Sequence, residues 1–72
     1  MSSETYVIYI LQELLDNKTE EFEEISTTLH KIWNNPIDER VANKDELESR
    51  RRELRGEMSA LRQAIRKLEE DN

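Results

Sequence analysis

The sequence predicts an all-α protein in which two long helices fold back on each other as an antiparallel, coiled-coil-like hairpin. One apolar residue in seven recurs through both halves of the chain, at Ile8, Leu15, Phe22 and Leu29, and at Leu47, Leu54, Leu61 and Leu68. Because an α-helix turns every 3.6 residues, such positions form one stripe that a second helix can cover. The chain has one glycine and one proline, too few turn residues for a sandwich or barrel.

A second set of seam positions lies between these residues: Leu11, Lys18, Ile25 and Ile32, then Lys44, Arg51, Met58 and Ile65. In an antiparallel pair, facing residues have numbers that add to a constant. A sum of 76 brings every seam position opposite another, so that Phe22 faces Leu54 and Leu15 faces Leu61. We expect this register because a shift by one heptad would leave a leucine without a partner.

The first helix is predicted from Glu4 to Trp33, with Ser3 as its cap. Its opening stretch, residues 5–11, is rich in β-branched and aromatic residues, which would favour a strand in isolation. No second strand-like run exists to pair with it, and the helical spacing passes through unchanged. Asn17 and Glu20 resemble a capping box for a new helix. Since the heptad keeps its phase from Leu15 to Phe22, we predict one continuous helix, although a kink near Asn17 stays open.

Residues 34–43 form the predicted connection, and the second helix is predicted over 44–70. Pro36 disfavours helix at the residue before it and suits the start of a new turn, while Asn43 is placed to cap the second helix. We expect Trp33, Ile37 and Val41 to close the core at the turn end, although an exposed Trp33 would suit a pocket on a partner. Gly56 falls at an outward position inside the second helix, where glycine costs roughly 1 kcal/mol against alanine. Simple tolerance is the favoured reading, and close approach of a partner backbone is the alternative.

Composition predicts a single domain over residues 1–72 and narrows its function. The formal net charge is −6, with seven acidic and two basic residues in 1–34 (−5) and ten acidic and nine basic residues in 35–72 (−1). Such a chain repels phosphate backbones, which disfavours nucleic acid as the main partner. No apolar run could span a membrane or serve as a secretory segment, so we expect a soluble, cytoplasmic protein without a membrane partner. The absence of cysteine excludes a disulfide framework and by itself leaves the compartment open.

Extra apolar residues beside the seam predict a binding surface at the open end of the hairpin, away from the turn. The predicted partner-binding residues are Tyr6, Val7, Tyr9, Ile10, Leu14 and Ala64. A helix with a single partner should be polar at such positions, whereas a helix covered on several sides should not. We therefore expect a protein partner or a second copy, and a dimer would form a four-helix bundle. The alternative is ordinary exposure of a few apolar side chains.

A cluster of arginines carries the alternative function, contact with nucleic acid through Arg50, Arg52 and Arg55. Two glutamates precede members of this cluster by four residues, in the favourable order for helix ion pairs: Glu46 before Arg50, and Glu48 before Arg52. Glu21 is also expected on the side where Arg50 lies. The pattern therefore favours a solvated, internally paired face over a nucleic-acid site.

No arrangement of residues indicates catalysis, a cofactor or a metal site. His30 is the single histidine, and Ser26, Thr27 and Thr28 have no base placed to activate them. An enzyme reading, with Lys18, Arg51 and Glu21 clustered inside a dimer, ranks third. The general plan is similar to that of secretion-system co-chaperones and of phage or plasmid accessory proteins, without a shared motif. We predict a small helical adaptor, co-chaperone or assembly factor.

Overall fold

A computed structural model describes residues 3–34 and 43–70 of the chain. It contains two α-helices, α1 (Ser3–Asn34) and α2 (Lys44–Glu70), and no strand within the described residues. The prediction of an all-helical chain whose two helices pack together is confirmed. α1 extends one residue further at each end than its heptad pattern indicates. The turn roles predicted for Pro36, Ile37 and Val41 lie outside the described residues.

α1 is continuous through the segment where a new helix start was an open alternative. The Thr19 hydroxyl donates a hydrogen bond of 2.8 Å to the carbonyl oxygen of Leu15, one turn earlier in the same helix. The Gln12 side-chain amide donates to the Asp16 carboxylate at 3.2 Å. Polar side chains next to the capping-like pair Asn17 and Glu20 thus form hydrogen bonds within one helix. The β-branched opening of the chain is helical too, because packing of its apolar stripe outweighs intrinsic propensity.

The two helices run antiparallel and form a rod with extents of 53 × 16 × 15 Å. Two ion pairs define the direction: Lys18 on α1 contacts Glu57 on α2, and Glu21 contacts Arg50. Residue numbers therefore rise along α1 as they fall along α2, as the hairpin prediction requires.

The core consists of the predicted seam. All sixteen predicted seam positions are buried or partly buried, and the charged ones are included. The main cluster is formed by Leu15, Leu54, Met58 and Ile65, with Ile8, Leu11, Phe22, Ile25 and Leu61 packed against it. Leu54 is completely buried. The seven-residue repeat therefore identifies the face along which the helices meet.

The position of Trp33 differs from the prediction that it closes the core at the turn end. Leu29 and Ile32 are buried there as expected, but the Trp33 side chain is 47% exposed and is not a core plug. Successive residues on a helix are rotated by about 100°, so a residue directly after the seam position Ile32 turns toward the side of the hairpin. An aromatic side chain is thereby left on the surface.

Candidate interaction surfaces

Five large apolar side chains stay exposed near the start of α1, with exposed fractions between 41% and 66%. We call them the apolar face: Tyr6, Val7, Tyr9, Ile10 and Leu14. Ala64, the predicted binding residue on α2, is exposed as well. All six residues assigned to a partner from the sequence are therefore accessible in the hairpin.

The apolar face exists because the first part of α1 carries apolar side chains around more of its circumference than α2 can cover. Ile8 and Leu11 belong to the seam and pack on the core cluster. Val7, Ile10 and Leu14 follow the spacing i, i+3 and i+7, which makes a second stripe beside the seam. No residue from 6 to 11 carries a charge. The stripe can consequently be covered by another helix without burying an ion.

An ion-pair network lies closer to the turn, on the same flank of the hairpin as Leu14. Glu21 lies seven residues after Leu14 and accepts hydrogen bonds from Arg50 Nε at 2.8 Å and Arg50 Nη2 at 3.1 Å. Arg50 also contacts Glu53 at 3.2 Å, and Lys18 contacts Glu57 at 2.7 Å. The hydrogen bonds from Arg50 lower the pKa of Glu21, and the hydrogen bond from Lys18 lowers the pKa of Glu57. The hydrogen bonds that Arg50 donates to Glu21 and Glu53 raise the pKa of Arg50.

The pairing along α2 differs from the spacing-based expectation. Arg50 pairs with Glu21 across the helices, as one prediction had it, and its carboxylate partners among the described residues are Glu21, Glu53 and Glu57 rather than Glu46. Glu48 lies 3.9 Å from Lys44 and forms no ion pair with Arg52 within the described residues. The pair across the helices is preferred to a pair along α2 because the carboxylate of Glu21 accepts two hydrogen bonds from the planar guanidinium group of Arg50.

The remaining arginines line a shallow groove on the other flank, which we call the arginine groove. It has a volume of about 200 Å³ and is lined by Trp33, Glu48, Arg51, Arg52 and Arg55. Two guanidinium groups are held over the Phe22 ring, with Cζ 5.5 Å from the ring centroid for Arg51 and 5.7 Å for Arg55. The sequence indicated an arginine cluster, but it did not indicate that Trp33 joins it or that Arg50 turns away from it.

The three residues of the enzyme reading each have a different contact within one chain. Lys18 pairs with Glu57, Glu21 pairs with Arg50, and Arg51 lies over Phe22. Among the residues that the structure describes, no group of three or more histidine, cysteine, aspartate or glutamate side chains could hold a metal ion. Neither helix, over its described length, has an apolar stretch sufficient to cross a bilayer.

No family model, curated protein or solved structure matches the chain. The functional assignment therefore depends on the chemistry of the apolar face and of the arginine groove.

Proposed function

We propose that the protein is a protein–protein interaction module whose apolar face binds a second copy of the chain, giving a four-helix bundle. The observation that carries this proposal is the cluster of five large apolar side chains, each at least 41% exposed, within the first turns of α1. Exposed apolar residues of this size are ordinary when scattered, whereas a contiguous group on one helix marks an interface. An adaptor, co-chaperone or assembly factor would use such a face.

A second copy fits this face because the face is self-complementary. Around a two-fold axis each surface meets itself, so apolar side chains meet apolar side chains and no charge needs an opposite partner. The uncharged run of residues 6–11 satisfies this condition. Ala64 on the neighbouring helix is small and lets a facing helix approach closely.

The small size of the core supports the same conclusion. The described core contains six buried apolar residues: Leu15, Leu29, Ile32, Leu54, Met58 and Ile65. Chains of this length are near the lower limit for independent folding, and oligomerisation is a common way to enlarge a small core. A dimer would cover the second stripe of α1 and add its residues to the buried set.

Molar mass in solution tests the proposal. We expect light scattering on a sizing column to give twice the chain mass of 8.6 kDa at micromolar concentration. The double variant Tyr9→Ser/Ile10→Ser should be monomeric and should retain helical circular dichroism. The control Gln12→Ser/Glu13→Ser changes two exposed residues of the same helix and should stay dimeric. A wild-type monomer whose unfolding midpoint does not change with concentration would disprove self-association.

Docking on a larger protein is the other outcome of this test. It would be indicated if the chain alone is monomeric while the Tyr9→Ser/Ile10→Ser variant loses a co-purifying partner that the Gln12→Ser/Glu13→Ser control retains. Contact with nucleic acid through Arg50, Arg52 and Arg55 is less favoured, because Arg50 is engaged by carboxylates of Glu21 and Glu53.

A further inference from the structure

We infer that the arginine groove binds a short acidic segment of a protein partner, with carboxylates on the guanidinium groups and an apolar side chain on Trp33. This surface is separate from the apolar face, since it lies near the turn end and is built mainly from α2. The inference therefore does not depend on whether the chain dimerises.

Unneutralised positive charge is the first observation in its favour. Arg50 has carboxylate partners on both helices, whereas no ion pair joins Arg51, Arg52 or Arg55 to a carboxylate within residues 3–34 and 43–70. Glu48 is the one acidic residue among the described lining residues, and it lies 3.9 Å from Lys44. The groove thus carries an excess of guanidinium groups in a chain whose overall charge is negative.

Two of these groups lie against an aromatic ring. The Cζ atoms of Arg51 and Arg55 are 5.5 and 5.7 Å from the centroid of Phe22, and this contact favours their position beside the groove. The Nε of Arg51 is buried and has no hydrogen-bond partner. A carboxylate accepts hydrogen bonds from two nitrogens of one guanidinium group, and the exposed side chains of Arg52 and Arg55 can offer such donors to a ligand.

Trp33 supplies the apolar part of the site. Within the described residues it is the single large hydrophobic side chain that is exposed outside the apolar face. Tryptophan and arginine are the residues most often found at the energetic centre of protein interfaces. Their combination in one groove favours a ligand that presents both a carboxylate and an apolar side chain.

The size and surroundings of the groove favour an acidic peptide over nucleic acid. A volume of about 200 Å³ holds only a few side chains, and three arginines offer few phosphate contacts. A polyanion crossing the groove would also meet α1, whose residues 3–34 hold seven acidic and two basic side chains. A short peptide can place its few carboxylates on the groove alone, whereas a longer polyanion would extend past the groove onto this acidic helix.

Trp33 is the single tryptophan of the chain, and its fluorescence reports directly on the groove. The probe is an N-acetylated, C-amidated hexapeptide, Glu-Glu-Leu-Asp-Glu-Leu, and the control peptide carries Gln and Asn in place of its acids. We expect a saturable change in fluorescence with the acidic peptide that weakens as salt rises. The neutral peptide should bind at least tenfold more weakly than the acidic peptide.

Matched variants separate the groove from general attraction by positive charge. Arg52→Gln/Arg55→Gln should weaken peptide binding at least tenfold, whereas Arg62→Gln/Arg66→Gln removes the same charge from exposed positions elsewhere on α2 and should not. Circular dichroism shows whether each variant stays helical, and Arg52→Gln alone provides a variant that leaves the Phe22 stack intact. Tyr9→Ser/Ile10→Ser should bind the peptide normally, which distinguishes this site from the apolar face.

Three results would overturn the inference. The first is the absence of a salt-sensitive fluorescence change with the acidic peptide. The second is equal loss of binding in the two double-arginine variants, which would indicate charge without a site. The third is tighter binding of a twelve-nucleotide single strand than of the peptide, which would make the groove a nucleic-acid surface.

Discussion

Arg50 on α2 holds Glu21 on α1 through two hydrogen bonds, from Nε to Oε2 at 2.8 Å and from Nη2 to Oε1 at 3.1 Å. Parallel hydrogen bonds of this kind require the guanidinium and carboxylate planes to align. The pair therefore restricts both the sliding of one helix along the other and its rotation. Lys18 and Glu57 add a second link between α1 and α2 on the same flank.

Stability should decrease in acid because of these pairs. The pKa of Glu21 and the pKa of Glu57 are lowered in the folded protein from the usual 4.5. The unfolded chain therefore takes up protons first as the pH falls. The stabilising contribution is complete above about pH 5 and is lost as the pH falls through the folded-state pKa values. Urea unfolding followed by circular dichroism between pH 7 and pH 3 measures this loss.

The matched control for the acid effect is the double variant Glu21→Gln/Glu57→Gln. It should be less stable than the wild type at pH 7 and should lose less stability between pH 5 and pH 3. Raising the salt concentration should narrow the stability difference at pH 7, since both pairs are only partly buried. If wild type and variant show the same acid dependence, other carboxylates are responsible.

Substitution of Lys18 by leucine should raise the stability and reduce the specificity of pairing. Lys18 occupies a seam position that is partly buried, and its ammonium group pairs with Glu57 at 2.7 Å. Polar seam residues define register and partner number at a cost in stability. We expect a higher urea midpoint together with a broader distribution of molar mass. Lys31→Leu, at an exposed position of the same helix, is the control, and an unchanged midpoint in Lys18→Leu would contradict this account.

Leu54→Ala should destabilise the hairpin by about 2–5 kcal/mol, because Leu54 is completely buried at the centre of the core cluster. A loss of this size is comparable with the total stability of a small domain, so we expect reduced helicity at 25 °C. Gln63→Ala on the same helix is exposed and should change the free energy of unfolding by less than about 0.5 kcal/mol. A loss below about 1 kcal/mol in Leu54→Ala would mean that the helices do not pack tightly there.

Gly56→Ala should stabilise the protein by about 1 kcal/mol. A Cβ atom built at Gly56 meets no other atom within 4 Å, so the added methyl group is free of clashes. The gain arises from the lower backbone entropy of alanine in the unfolded chain and from its higher helix propensity. The urea midpoint of Gly56→Ala tests the prediction. A stabilised variant that loses self-association would instead show that a partner helix approaches Gly56.

The spacing of apolar residues was the most reliable guide to the structure. The repeat through Leu15, Phe22 and Leu29 predicted which side of α1 would be covered, and it also assigned the charged residues Lys18 and Arg51 to the seam. This succeeds because the helical period is a local property of the backbone. Each residue added rotates the side chain by the same angle, whatever the second helix does.

The partners of the charged residues and the position of Trp33 were harder to predict from the sequence. Spacing along α2 suggested Glu46 as a partner of Arg50, whereas the structure pairs Arg50 with Glu21, which the register had placed on the same side. A long charged side chain can reach several partners of nearly equal energy, so its choice depends on how closely the other helix lies. Trp33 was expected in the core but lines the arginine groove. Whether a residue next to the seam is buried depends on which side chains pack around it, and the heptad does not specify these.

The sequence alone determined the two helices and the stripe along which they meet, because both follow from the period of the backbone and from the removal of apolar side chains from water. The two-hydrogen-bond geometry between Arg50 and Glu21, the position of Arg51 and Arg55 over Phe22, and the groove beside Trp33 emerged only when the two helices were placed side by side. These features join residues that are distant along the chain, and their geometry depends on separations of a few ångströms that no local pattern encodes.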